Sequence, residues 1–254
     1  MSTQYNFKRY EIKYRISLQQ MEYLLALLEP EMQADAFGLH KINNLYYDTE
    51  NYELIRRSLE KPVYKEKFRL RWYNDTPKVF AEIKKKYKGI VYKRRVAAPE
   101  EELLQFLAGQ TQLADNLQNQ AEILHFFTRY PISPKAYVGY DRLALAGRKD
   151  PELRVTFDRN LVWSTEHLLP HGCRQEQPIL PPDQVIMEIK IHDAMPFWLA
   201  RLLSEQGIFA SSFSKYGTYY KNEVLPAVSP AAITGEDLCT EELPAGLAAE
   251  GYLL

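Results

Sequence analysis

The sequence predicts a single α+β domain built on about eight mostly antiparallel strands, with helices set between them. Apolar and polar residues alternate through several short segments, the period of a strand with one buried face. The strands are short, turn-linked and not in strict strand–helix–strand order, which favours antiparallel pairing. Neither an internal repeat nor a linker interrupts residues 1–225.

The elements follow in order. Residues 7–16 form the first strand, with Lys8, Tyr10, Ile12, Tyr14 and Ile16 on one face and Arg9, Glu11, Lys13 and Arg15 on the other. Ser17 is placed to cap a helix over 18–28 that ends near Pro30. A short aromatic strand at 42–48 leads to a short helix at 50–58. In 65–73, Phe68, Leu70 and Trp72 oppose Lys67, Arg69, Arg71 and Tyr73. In 79–86, Glu82, Lys84 and Lys86 alternate with Ala81, Ile83 and Lys85. Lys88-Gly89 makes a hairpin turn into 90–98, where Lys93 and Arg95 project together. Helices are expected at 99–108 and 119–129, then strands at 135–145 and 153–161. In the second of these, Arg154, Thr156 and Asp158 oppose Leu153, Val155 and Phe157. Residues 162–184, rich in Pro and Gly, read as a surface loop. In 185–191, Ile186, Glu188 and Lys190 oppose Met187, Ile189 and Ile191. Pro196 starts a helix through about 205, and the segment 211–220 follows.

Across 254 residues, 32 Lys and Arg meet 33 Asp and Glu, a formal charge of −1. The balance is uneven: residues 226–254 carry five acids and no Lys or Arg, which leaves +4 on residues 1–225. The division expected is a folded domain over 1–225 and a weakly ordered acidic tail over 226–254. No apolar run reaches the ~20 residues of a membrane span, and the N-terminus lacks an apolar signal core. Cys173 and Cys239 form neither a metal spacing nor a disulfide framework, so a cytoplasmic protein with reduced thiols is expected. Phosphate-loop, dinucleotide-binding, kinase, zinc-protease and serine-hydrolase motifs are all absent. The five His are scattered, and the 18 Tyr read mainly as packing residues, so nucleic-acid binding is not expected.

The charged strand faces say more. Five strands each present a face with two or more cations, and Glu11, Glu82 and Glu188 are interleaved among them. If the sheet curls, those faces meet inside a tunnel. Two like charges ~6 Å apart repel by roughly 3 kcal/mol at an effective dielectric of 20. Such a lumen must hold water, counter-anions or a polyanion. Phosphate chains fit best, since Arg offers a planar fork and Lys a point charge to phosphate oxygens. Carboxylates in the same place suit a divalent ion bridging to phosphate, Mn²⁺ or Mg²⁺.

The residues then match a known pattern. Arg9-Tyr10-Glu11-Ile12-Lys13-Tyr14, Tyr46-Tyr47-Asp48-Thr49, the run 57–73 with Phe68-Arg69-Leu70-Arg71-Trp72-Tyr73, Glu82-Ile83-Lys84 through Arg95, Leu153-Arg154-Val155, Met187-Glu188-Ile189-Lys190 and Ser212-Phe213-Ser214-Lys215-Tyr216 resemble the VTC domain. This is the polyphosphate polymerase domain of vacuolar transporter chaperone proteins and their bacterial relatives. The resemblance spans about residues 7–221 and implies a triphosphate tunnel: an eight-stranded antiparallel β-barrel, open at both ends. It implies transfer of the ATP γ-phosphate to growing inorganic polyphosphate, with release of ADP and a need for Mn²⁺ or Mg²⁺. By motif position, Lys13, Arg69, Arg71, Lys84 and Lys215 take catalytic roles. Lys93, Arg95, Arg142, Arg154, Lys190 and Ser214 are assigned to phosphate. Lys93 and Arg95 are preferred over Arg94 because they share a strand face. Glu188 is assigned to the metal; Glu11 and Glu82 join it or serve as ion-pair partners. Two other readings use the same cations: a tunnel triphosphatase, and a polyphosphate-binding module without turnover.

Overall fold

A computed structural model describes residues 10–74, 76–88, 90–114 and 116–228. Residues 7–9 of the expected first strand, Gly89 of the expected turn, and residues 229–254 of the acidic tail lie outside them.

In chain order the elements are β1 (Tyr10–Ser17), α1 (Leu18–Leu28), β2 (Met32–Asp48), α2 (Glu53–Leu59), β3 (Tyr64–Tyr73), β4 (Lys78–Tyr87) and β5 (Ile90–Pro99). They continue with α3 (Glu100–Leu107), α4 (Leu117–Arg129), β6 (Ser133–Gly147), β7 (Arg154–Ser164), β8 (Gln177–Pro178) and β9 (Gln184–Ile191). The last are α5 (Phe197–Glu205), β10 (Ala210–Ser211), α6 (Lys215–Tyr219), a π-turn (Tyr220–Val224) and α7 (Leu225–Val228). The strands form one antiparallel sheet in the order β10-β1-β9-β7-β6-β2-β3-β4-β5, with β8 beside β7. The α+β class and antiparallel pairing are as expected. The sheet has ten strands, counting the two-residue β8 and β10, and hydrogen bonding does not close it into a barrel. Side chains span the gap instead: Lys84 on β4 reaches Glu11 on β1 at 3.0 Å.

Local chemistry sets the boundaries. Ser17 caps α1 as expected: its hydroxyl accepts from the Gln20 amide at 3.0 Å, and the Gln20 side chain accepts from the Ser17 amide at 2.9 Å. α2 starts three residues later than expected. The Asp48 carboxylate accepts amide hydrogen bonds from Thr49, Leu54 and Ile55, and Tyr52 takes a left-handed backbone between them. β2 starts ten residues earlier than expected. Met32 to Ala34 pair with Leu145 to Gly147, and an irregularity then separates Ala34 from Leu39, with Gly38 at φ +56°. The expected loop is shorter than 162–184, because β7 runs on to Ser164 and β8 pairs with it.

Helices cover the apolar outer face. α1 and α5 bury Met21, Leu24, Leu199 and Leu203 on Ile16, Val155, Met187 and Ile189. α3 and α4 bury Leu103, Phe106, Ile123 and Phe126 on Phe68, Leu70, Ile83 and Val96. Of the first-strand tyrosines expected to pack, Tyr14 is buried and Tyr10 is exposed. A third cluster lies on the opposite face of the sheet. Tyr216, Tyr219 and Tyr220 pack with Ile55 of α2 onto Ile42, Tyr46, Val138, Tyr140 and Ile186. On this face α6 and the π-turn contribute the tyrosines and α2 contributes Ile55. No helix among the described residues is long and apolar enough to cross a membrane.

Candidate active site

Strand register aligns the charged residues in rows along the concave face. Tyr46, Arg69, Glu82 and Arg95 form one row across β2 to β5, and Lys67, Lys84 and Lys93 form the next. On the other wall Lys13 pairs with Glu188, Glu11 with Lys190, Lys190 with Arg154, and Arg142 with Asp158. Lys215 enters from the first position of α6. Arg94 points the other way, to Glu122 of α4 at 2.7 Å.

Glu82 is the hub of the β3–β5 wall. It is 2% exposed. Arg69 donates to its Oε2 through Nε and Nη2 at 3.0 and 2.8 Å. Lys93 Nζ and Arg95 Nε lie 2.6 and 3.1 Å from Oε1, and Arg71 Nε lies 4.0 Å from Oε2. Burial pushes the carboxyl pKa up, but Arg69, Arg71 and Lys93 outweigh it and hold the group well below its ordinary range. Burial also lowers Lys93, against the pull of Glu82, to about 8. Arg95 lies over the Phe80 ring at 3.6 Å.

Asp158 is the hub of the opposite wall, and it is fully buried. Arg142 grips it in a fork, Nε to Oδ1 at 2.6 Å and Nη2 to Oδ2 at 2.7 Å. Lys215 Nζ donates to Oδ2 at 2.6 Å. Burial raises the Asp158 pKa, but Lys215 and Arg142 bring it down to about 2. Burial lowers Lys215, and Asp158 more than offsets this, so its pKa is raised. Both cations lie over Tyr140, whose hydroxyl accepts from Arg71 Nη2 at 3.2 Å. Burial raises Tyr140, yet Arg71, Arg142 and Lys215 lower it to about 8. Arg71 Nε also donates to Asn44 Oδ1 at 2.9 Å, so its fork is fixed before any ligand arrives.

A third group joins the walls. Glu188 meets Lys190 at 3.0 Å and Lys13 at 3.7 Å. Lys13 Nζ donates to the Phe213 carbonyl at 3.1 Å. Lys67 Nζ donates to Ser214 Oγ at 3.2 Å, and that hydroxyl also accepts from the Gly217 amide as the cap of α6. Burial, reinforced by Lys65, Lys13 and Lys84, lowers Lys67 to about 7. Arg154 stands exposed at the rim.

The structure therefore brings the predicted residues onto one concave face. Lys13, Lys67, Arg69, Arg71, Lys84, Lys93, Arg95, Arg142, Arg154, Lys190 and Lys215 share it with Glu11, Glu82, Asp158 and Glu188: these eleven cations and four carboxylates alone leave a formal excess of seven, before Lys65 and Lys86 farther along the same face are counted. Sequence reasoning placed Asp158 and Lys67 on the correct faces without giving either a role, and it missed Asn44 and Tyr140. The signal for Asp158 was its two-residue step from Thr156 and Arg154.

The carboxylates differ in what they can hold. Among the described residues no three His, Cys, Asp or Glu side chains gather as a metal cage. Both oxygens of Glu82 and of Asp158 are held by cations within about 3 Å, whereas Glu188 holds Lys190 at 3.0 Å through Oε1 and Lys13 only at 3.7 Å through Oε2, and Glu11 meets Lys84 through Oε2. Glu11 and Glu188 are diagonal neighbours on β1 and β9 and interact electrostatically. One or two carboxylates completed by substrate phosphates is a common Mg²⁺ or Mn²⁺ arrangement, so this pair fits a shared divalent ion.

The VTC domain family model matches residues 8–223, which takes in the whole sheet and α6. The chain belongs to the VTC domain family. The VTC domain fold is shared with a putative adenylate cyclase from Bacillus halodurans, at 11% identity and TM-score 0.51, over 80% of this chain and 92% of that one. It is also shared with a putative adenylyl cyclase from Hippeastrum described as having a dominant triphosphatase activity, at 16% identity and TM-score 0.51, over 85% and 97%. No curated protein matches.

Proposed function

We propose that this VTC domain is a metal-dependent polyphosphate polymerase that transfers the γ-phosphate of ATP to the end of a growing inorganic polyphosphate chain. The observation that carries the reading is the seven-charge excess on one concave face. It exceeds the charge of a single metal-bound triphosphate and leaves cations for a second phosphate chain. Arg69, Arg71 and Lys84 hold the triphosphate from one wall, with Lys93 and Arg95 behind them. Lys13 and Lys215 approach from the other wall and stabilise attacking and leaving oxygens. Arg142, Arg154 and Lys190 bind further phosphates, and Ser214 contributes its hydroxyl beside Lys67. Glu188 and Glu11 would hold Mn²⁺ or Mg²⁺, which offsets phosphate charge when bound. Glu82 takes the ion-pair role: it positions Arg69, Lys93 and Arg95.

The reaction forms a bond from a terminal chain oxygen to the γ-phosphorus and breaks the bond from that phosphorus to the β–γ bridging oxygen. ADP leaves. The acceptor is already an anion, so no protein base is required. This suits a face where Glu82, Asp158, Glu188 and Glu11 are all ion-paired and held below the ordinary carboxylate range, ill placed to take a proton from water.

The Hippeastrum neighbour supports a second reading, a triphosphatase in which water is the acceptor. Incubation with ATP and Mn²⁺ separates the two, with products run on a gel and tripolyphosphate hydrolysis measured in parallel. Long chains and ADP support the polymerase. Free phosphate with rapid tripolyphosphate clearance and no chains overturns it.

A further inference from the structure

The β3–β4 hairpin carries a charge pattern that folding does not require. Lys67 stands directly opposite Lys84, Lys65 opposite Lys86, and Lys84 opposite Lys93 on β5. Like charges in directly opposed positions destabilise a sheet. Glu11 offsets Lys84 and Glu82 offsets Lys93. Nothing comparable serves the other three: among the described residues none of Lys65, Lys67 or Lys86 forms an ion pair with a carboxylate. Lys67 has the Ser214 hydroxyl and Lys65 the Ser58 carbonyl at 3.0 Å. Lys86 is exposed, and Lys61 and Lys86 both depress the pKa of Lys65, which burial lowers first.

These lysines lie on the same strand face as Arg69 and Lys84, two residues apart along the strand, and so continue the rows of the active site. Exposure rises along them, from half-buried Lys67 and Lys65 to exposed Lys86. The neighbouring aromatics, Tyr64 and Tyr87, alternate onto the other face. The lysine face therefore lacks the stacking surface that single-stranded nucleic acid uses. It suits a linear anion with no rings.

We propose that Lys67, Lys65 and Lys86 form a track that holds an inorganic polyphosphate chain beyond the triphosphate clamp, between the catalytic face and solvent. The identity of the chain rests on the polymerase reading; the track itself rests on the uncompensated lysine pairs.

The test is K65Q/K86Q in the full chain, with binding of long-chain polyphosphate, tripolyphosphate and a single-stranded oligonucleotide measured over a salt series. Long-chain affinity should fall on the order of tenfold, and its log–log salt slope should shrink by about 1.4, at ~0.7 per phosphate contact of a flexible polyanion. Tripolyphosphate affinity should stay within about twofold. Equal loss for both phosphates, or no loss for the long chain, overturns the track. An equal loss for the oligonucleotide makes the surface a nucleic-acid site and also overturns it. Because the substitution relieves opposed charges, the thermal midpoint at low salt should hold or rise; a fall of several degrees would refute the like-charge premise. Chain synthesis from ATP is scored separately. Wild type without synthesis, but with long-chain binding that the variant loses, keeps the track and ends the polymerase reading. Synthesis in wild type with long-chain binding unchanged in the variant does the reverse.

Discussion

Asp158→Asn removes one charge and almost no volume from the most enclosed point of the active face. Arg142 and Lys215 approach the carboxylate at 2.6 to 2.7 Å, and Glu188 acts on them only from farther off. An amide offers one acceptor oxygen and turns its NH₂ toward a cation. Removing one partner of a buried ion pair costs about 3–5 kcal/mol. A second route gives a lower bound. A native pKa of about 2 against an ordinary 3.8 corresponds to about 2 kcal/mol of stabilisation by the charged form. The expected loss is therefore about 2–5 kcal/mol, or roughly 4–20 °C in Tm for a domain of this size. The pH dependence has a definite sign. The folded pKa is depressed, so the stabilisation is present above about pH 4 and is lost as pH falls through about 2. Thermal unfolding followed by circular dichroism should show a wide gap between wild type and variant at pH 7, closing between pH 4 and 2. Tripolyphosphate should narrow the gap at pH 7 by supplying the missing anion. A Tm within about 1 °C of wild type at pH 7, or a gap that persists unchanged near pH 2, would refute the assignment of Asp158 as the anchor of Arg142 and Lys215.

Other outcomes follow from the same geometry. Glu188→Gln should lower Mn²⁺-dependent ATP turnover by about 100-fold or more, while metal-free tripolyphosphate binding holds or tightens because one negative charge has left the site; unchanged turnover would remove Glu188 from the metal site. Tripolyphosphate binding at pH 8 should take up about one proton, since Lys67 and Lys93 sit at about 7 and 8 in the free protein and a bound phosphate raises both. Calorimetry in two buffers of different ionisation enthalpy measures this, and no uptake at pH 8 would count against those lysines as phosphate ligands. Ser17→Ala breaks the reciprocal cap of α1 and should cost about 1 kcal/mol, or ~2–4 °C in Tm, with turnover intact; a loss of turnover at unchanged Tm would contradict a purely structural role.

Much of this was legible because β3, β4, β5 and β9 keep an unbroken two-residue period. Arg69, Arg71, Glu82, Lys84, Lys93, Arg95, Glu188 and Lys190 could each be assigned a face from their neighbours alone, and each lies on that face. The period fails where the backbone is irregular. Half of β2 was missed because the break between Ala34 and Leu39 disrupts the alternation. β6 and β7 shift register between Gly139 and Asp141, next to Asn160 at φ 51°, so the two-residue period does not run unbroken up to Arg142. The role of Asp158 was hidden for another reason. Its meaning comes from Lys215, 57 residues away in sequence, and no local pattern connects them. The aromatic cluster on this face was equally hidden. Tyr216, Tyr219 and Tyr220 have ordinary helical spacing, which does not distinguish packing outside a sheet from packing within its curl.

The four carboxylates explain how so positive a face folds before any phosphate arrives. Each is engaged by one or more cations, and several of those same cations also rest on aromatic rings or a carbonyl: Arg95 on Phe80, Arg142 and Lys215 on Tyr140, Lys13 on the Phe213 carbonyl. Such pairs hold the forks of Arg69, Arg71 and Arg142 extended, so little side-chain entropy remains to be lost on binding. An incoming phosphate does not create its ion pairs from free cations; it exchanges with carboxylates that already held them. The gain is then the difference between two pairings, and it is largest at the lysines with no carboxylate to give up. Among the described residues of this face these are Lys67, which lies between the Arg69–Glu82 row and the Lys65–Lys86 pair, and then Lys65 and Lys86 themselves. A chain passing from the clamp toward solvent would meet its least compensated charge there, at the step where it leaves one set of ligands for the next.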